Sequence, residues 1–175
     1  FLCGLPPIGV LKEVSVKDIF FFAALFILVG GAEASGLLGW LGEFIVHLSF
    51  GNILLRSLLL MWVAGLITAF MNAGPSTALF LPLVLGFQTP APHHLYWWAL
   101  SLGVLAGSSA TITGATAGTV ASSMLASFKP APMKGIAAIF PSRLTFREYA
   151  RVGIPVALLF LATSSVYLAV IYRFV

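Results

Sequence analysis

Apolar residues run through most of this chain, and the places where they stop organise it. Ile19 to Val29 is an unbroken apolar run that follows the charged linker Lys12, Glu13, Lys17 and Asp18 and ends at Gly30-Gly31. Val16 to Ala34 just meets the length of a bilayer crossing, about 17 residues at the short end. At about 1.5 Å per residue, Glu33 then sits one crossing away from Asp18. The expected place for Glu33 is the far interface; at mid-membrane it would instead be a possible proton carrier. In "SGLLGWLGEFIVHLSFGN" the residues Leu37, Leu38, Trp40, Leu41, Phe44, Ile45 and Leu48 cover most of a helix. Glu43 and His47 share its remaining narrow face at i and i+4. That pattern predicts a short helix lying in the interface. His47 reads as a partner of Glu43, with metal or pigment ligation as the alternative.

The stretch "ITAFMNAGPSTALFLPLV", Ile67 to Val84, places Asn72, Gly74, Pro75, Ser76 and Thr77 inside an apolar run. Ile53 to Met71 is barely one crossing, and Thr77 to Phe87 reaches only about 16 Å as a helix, too short to span. Two short apolar arms about a Gly-Pro interruption predict a re-entrant hairpin, with the helix broken at Gly74-Pro75. Irregular backbone at membrane depth is tolerated only inside protein or beside a watery cavity. The polar tip is therefore expected where a solute or ion can use it.

"QTPAPHHLYWW" reads as a connection whose His93, His94, Tyr96, Trp97 and Trp98 form a headgroup-level belt. Leu95 to Phe128 is too long for one simple crossing. Its centre interleaves Gly103, Gly107, Gly114 and Gly118 with Ser108, Ser109, Thr111, Thr113, Thr116 and Thr119. One reading is close helix packing through small residues, with hydroxyls bonded back to carbonyls. The other is a broken helix whose freed carbonyls and hydroxyls line a site, and the β-branched run Thr111-Ile112-Thr113 favours it. A basic loop, Lys129 to Arg151, precedes a last span, Ala150 to Tyr172. Thr145 and Glu148 have capping-box spacing.

Composition sets the solvent. Only 8% of the 175 residues are charged and 60% are hydrophobic, against about 25% charged in soluble domains. The mean hydropathy is +1.07, so the expected class is an all-α integral membrane protein, embedded in a lipid bilayer. The net charge of +4 comes from residues flanking apolar spans and does not suggest a nucleic-acid partner. Seven of the nine Lys and Arg residues lie in the loops 10–18 and 129–151. The positive-inside rule makes those loops cytoplasmic and the C-terminus external. No nucleophile–base set or metal-ligand spacing is visible, so neither an enzyme nor a metal site is expected. The chain opens on Phe1 and "FLCGLPP", which reads as the last turn of an apolar helix, and this suggests a preceding segment.

The order of span, interfacial helix, Asn-bearing hairpin tip, Gly/Thr-rich broken helix, basic loop and final span resembles one repeat of the ion transporter superfamily. That group includes divalent anion/sodium symporters, arsenite pumps, citrate carriers and a type of sodium/proton antiporter. "LFILVGGAEASGLLGWL" is similar to the segment before their second hairpin, and "FREYARVGIPVALL" to their last helix entry. The resemblance implies the C-terminal member of two inverted repeats, with the N-terminal repeat missing. It also implies a bacterial inner-membrane location and a homodimer or larger membrane complex. At the symporters' Ser-Asn-Thr tip this chain reads Met71-Asn72-Ala73, retaining the Asn. "TITGATAGTV" resembles the arsenite-pump version of the broken helix, with Thr116 in the Ser place and Gly118 replacing the Asn.

The implied function is a secondary active transporter, a symporter or antiporter moving a small anion or cation, with a sodium ion as the possible coupling cation. Its expected ion- and substrate-binding residues are Asn72, Ala73, Gly74, Ser76 and Thr77 at the tip. Ser108, Ser109, Thr111, Thr113, Gly114 and Thr116 would complete the site at the break. The alternative is a transporter-derived accessory subunit of a larger membrane complex.

Overall fold

The computed structural model describes residues 16–87, 94–115, 118 and 145–174. The described residues hold six helices: α1 Val16–Ala34, α2 Leu37–Leu48, α3 Ile53–Met71, α4 Ala73–Gly86, α5 Leu95–Ala110 and α6 Phe146–Phe174. Each boundary has a local cause. Gly36 at φ 79° turns the chain from α1 into α2, a left-handed conformation that glycine adopts without a Cβ clash. The Asn52 side chain accepts from the backbone N–H groups of Leu54 (2.9 Å) and Leu55 (3.3 Å), capping α3. The backbone N–H of Thr145 donates to Glu148 Oε2 at 3.3 Å, which is one half of the expected capping box.

The centre is a seam of small residues. A Cβ built on Gly103 would lie 2.3 Å from the Met61 carbonyl oxygen, and one on Gly107 would lie 2.1 Å from the Gly65 carbonyl oxygen. Thr111 continues this register by bonding to the Ala69 carbonyl. Residues of α3 and α5 therefore pair at a constant offset, so the two helices run parallel and in backbone contact. α6 runs antiparallel to both. Its Gly153 meets the carbonyls of Ser109 and Ala110, Leu161 meets Gly65, and Ser165 accepts from Trp62 Nε1 at 3.2 Å. Without water to expel, contacts of this closeness between small residues are the main source of helix adhesion in a bilayer.

The hairpin closes at its far end. The Arg56 guanidinium, at the start of α3, lies 5.7 Å from the ring centroid of Phe87, just past α4. Phe87 in turn packs on Tyr96, at the start of α5, with ring centroids 4.9 Å apart. α3 thus leads from this base to Asn72, and α4 returns. Phe80, Leu60, Met61 and Leu95 are fully buried between the arms and α5.

The structure corrects three sequence expectations. The break is Asn72 alone, and Gly74-Pro75 lie inside the first turn of α4. Proline is tolerated there because first-turn N–H groups have no intrahelical partner. The first arm keeps its expected bounds, Ile53–Met71, but the second starts at Ala73 rather than Thr77 and is 14 residues long. α1 keeps the expected bounds Val16–Ala34, and among the described helices α3 and α6 combine crossing length with an 18-residue apolar stretch of at most two charged residues. Finally, α6 begins at Phe146, so Arg147 and Arg151 are helical and not part of a loop. Lys12, His93, Thr116 and the basic stretch 129–144 lie outside the described residues.

Candidate functional site

Asn72 is where two helix ends meet. Its N–H donates to the Thr68 carbonyl at 3.2 Å, closing α3, and its carbonyl accepts from Ser76 N at 3.2 Å, opening α4. Its backbone sits at φ 79°, ψ 154°. A non-glycine residue in such a region costs about 1–3 kcal/mol and persists only where its surroundings impose it. The tip presents carbonyls at the end of α3, with partial negative charge, beside N–H groups at the start of α4, with partial positive charge. One point of the chain can therefore attract a cation on one side and an anion on the other. The Asn72 side chain does not cap α4.

The end of α5 reaches the same level. Thr111 leaves the helix in an extended conformation, φ −134° and ψ 159°. Its hydroxyl donates to the Ala69 carbonyl and accepts from Gly114 N at 3.0 Å. Thr113 Oγ1 lies 3.0 Å from Thr111 Oγ1 and 3.5 Å from the Ala69 carbonyl oxygen. Gly114 is seated against α3: a Cβ on it would lie 3.0 Å from the Thr68 carbonyl and 3.2 Å from that of Ala69. The two interruptions of helix thus touch through α3's last carbonyls, within one turn of Asn72.

The predicted residues divide accordingly. Asn72, Thr111, Thr113 and Gly114 are brought together with Thr68 and Ala69. Ser76 is fully buried, and its hydroxyl has no hydrogen-bond partner among the described residues. Ala73 and Gly74 form the first turn of α4. Three hydroxyls instead bond back to their own helices: Thr77 to the Ala73 carbonyl (2.8 Å), Ser108 to Leu105 (2.8 Å) and Ser109 to Ala106 (2.7 Å). For those three, the reading of small-residue packing with back-bonded hydroxyls is the one the geometry supports. Thr116 lies outside the described residues. Sequence reasoning missed the Ala69 carbonyl and Thr68, whose buried hydroxyl donates to Ala64 at 2.7 Å. A threonine four residues before Asn72 was the only available signal, and a backbone carbonyl leaves none.

Glu33 is not at the tip. It lines a cavity of about 650 Å³ at the hairpin base, together with Glu43, His47, Arg56, Pro82 and Phe87. Arg56 is 6% exposed, an unusual depth for a guanidinium. It donates from Nε to Ser49 Oγ at 3.3 Å and from an Nη to the Tyr96 hydroxyl at 3.4 Å. In the sequence Arg56 is a lone charge near the start of the apolar arm Ile53 to Met71, and nothing there signals its depth.

A family model described as citrate transporter matches residues 2–103. The magnetosome protein MamN of Magnetospirillum gryphiswaldense is 39% identical over 156 residues, covering 89% of this chain and 36% of MamN. The uncharacterized transporter Rv2684 of Mycobacterium tuberculosis is 31% identical over 173 residues, 94% of this chain and 37% of the relative. The uncharacterized transporter slr0753 of Synechocystis is 22% identical over 179 residues, 92% and 37% respectively. The chain therefore spans 36–37% of the length of these relatives. No solved structure matches it.

Proposed function

We propose that this chain, which belongs to the citrate transporter family, carries one half-site of a secondary active transporter that moves a small anion coupled to a cation. The family and the relatives named as transporters support a role in membrane transport. The finer reading rests on one observation: the hairpin tip and the end of α5 meet at the carbonyls of Thr68 and Ala69. Those carbonyls, with the Thr111 and Thr113 hydroxyls and the buried Ser76 hydroxyl, are neutral oxygen donors suited to a small hard cation, sodium being the first candidate. The first N–H groups of α4 suit a carboxylate or oxyanion. A site without a fixed charge loads and empties without leaving an ionised group stranded at membrane depth.

In this reading α3 and α4 enter as a re-entrant hairpin, because α4 at 14 residues is short of the roughly 17 that a crossing takes. A second, inverted repeat supplies the symmetric half-site, and the segments 10–18 and 129–151, which run into the starts of α1 and α6, face the cytoplasm of a bacterial inner membrane. The test is uptake of radiolabelled citrate and a panel of other anions into proteoliposomes of the full-length protein, with and without a sodium gradient. Asn72→Ala should abolish uptake or its ion dependence; full retention of both refutes the half-site.

The identity to MamN favours a second reading, in which the chain serves a magnetosome membrane, as a transporter or as an accessory subunit of a larger complex there. Membrane fractionation with a tagged full-length protein separates a magnetosome from a general inner-membrane location. Uptake by the purified protein alone separates transporter from accessory subunit.

A further inference from the structure

The two arms of the hairpin are held in different ways. α3 lies on α5 backbone to backbone, with Gly103 against Met61 and Gly107 against Gly65. α4 meets its neighbours through apolar side chains, among them the buried Phe80, Leu83 and Val84. Such contacts are non-directional, and in a bilayer the lipid tails compete for them. They do little to fix the rotation of α4 about its own axis. At the tip the arm hangs on one residue, Asn72.

A directional contact stands at the other end. Ser76, Phe80, Leu83 and Phe87 recur at intervals of four, three and four residues, which is one stripe along a helix. Ser76 and Phe87 are the two ends of that stripe, about 16 Å apart by helical rise. A fixed Phe87 ring therefore keeps the Ser76 hydroxyl turned inward, where it is fully buried. The ring lies 5.7 Å from the Arg56 guanidinium and 4.9 Å from the Tyr96 ring, measured to centroids. Arg56 is itself fastened to two further elements, donating to Ser49 at the end of α2 and to the Tyr96 hydroxyl at the start of α5. Ser49 is fully buried and donates onward to the Val46 carbonyl at 2.6 Å. A planar guanidinium faces an aromatic ring while donating from its edge; an ammonium, a point charge, does not reproduce both.

We propose that Arg56 is a positioning residue of the half-site: by holding Phe87 it fixes the rotation of α4, and with it the place of the Ser76 hydroxyl at the tip. Its consequence for transport rests on the half-site reading; its effect on α4 rests on packing alone. The role belongs to the shape of the guanidinium and not to its charge, so Arg56→Lys does not preserve it. The test compares Phe87→Leu, Phe87→Tyr and Arg56→Lys in the full-length protein, with two readouts.

In proteoliposomes, Phe87→Leu and Arg56→Lys should raise the sodium concentration for half-maximal uptake about threefold or more, the effect of losing a desolvated cation–π contact. The maximal rate per folded protein should change less, and Phe87→Tyr, which keeps the ring, should stay near wild type. In detergent, amide hydrogen exchange should quicken in residues 73–80 but not in residues 99–107 of the seam, a contrast that general destabilisation does not produce. Unchanged sodium dependence in Phe87→Leu overturns the proposal, even if Arg56→Lys does not fold. So does exchange that is unaltered, or that quickens equally in both segments. A wild-type protein without sodium-dependent uptake counts against the half-site reading instead, and exchange alone then decides whether Arg56 positions α4.

Discussion

Gly107→Ala places a methyl group where two backbones touch. The new carbon would lie 2.1 Å from the Gly65 carbonyl oxygen and 2.8 Å from Thr68 Cβ. Carbon contacts are optimal at roughly 3.5–4.0 Å, so α3 and α5 must part by about 1 Å or more. A gap of that size forfeits about a quarter to a half of each contact's attraction along the seam. Overpacking typically costs about 1–3 kcal/mol, and opposing backbone atoms with little room to yield put this case at the upper end. Alanine's better helix propensity returns about 1 kcal/mol, leaving a net loss of about 2 kcal/mol. The loss propagates to the site, because Thr111 and Gly114 reach the carbonyls of Ala69 and Thr68 only while the helices touch. The assay is the apparent melting temperature of the full-length protein in detergent, paired with uptake. Gly30→Ala in α1 is the control, since a Cβ there meets nothing within 4 Å and carries the same propensity gain. Gly107→Ala should melt several degrees lower than Gly30→Ala and transport less. Equal melting of the two variants would refute the close approach of α3 and α5.

Asn72→Gly should raise stability by about 1 kcal/mol or more by relieving the positive-φ strain and yet lose uptake, dissociating fold from function at one residue; melting and flux on the same preparation read both. Thr111→Val should cost about 1–3 kcal/mol, because it strips the Ala69 carbonyl and Gly114 N of their shared partner, whereas Thr111→Ser should stay near wild type; chemical denaturation of the two side by side checks this. Ser76→Ala should leave the sodium-free melting temperature unchanged or raise it slightly, since a buried unpartnered hydroxyl is removed, but should abolish any stabilisation by added sodium. Glu33→Gln, remote from the tip, should leave the pH dependence of uptake unaltered, as measured across an imposed proton gradient.

Much of this architecture was legible in one dimension. The helix over 37–48, the arm from Ile53 to Met71, and the helix end before Thr111 all emerged from the spacing of apolar, glycine and β-branched residues. Local chemistry governs these features: apolar length, left-handed glycine and side-chain capping act within a few residues of where they are written. The exact tip was misread because Gly74-Pro75 looks like a breaker, yet it is compatible with the first turn of a new helix. There, Asn72 carries the interruption. The sequence could nominate hydroxyls but not rank them, since Ser108 and Thr111 have the same donor and differ only in which carbonyl lies nearby.

Tertiary structure made that choice. The pairing of α3 with α5 is set by glycines and threonines dozens of residues apart, whose partners are backbone atoms that no side-chain pattern announces. It brings the carbonyls of Thr68 and Ala69 under the end of α5, and it sends Arg56 and Glu33 to a different cavity at the opposite end. Sequence alone decided that the chain lives in lipid and, to within a turn, where its helices break. Only packing decided which of those breaks face each other, because that depends on how closely two backbones can approach.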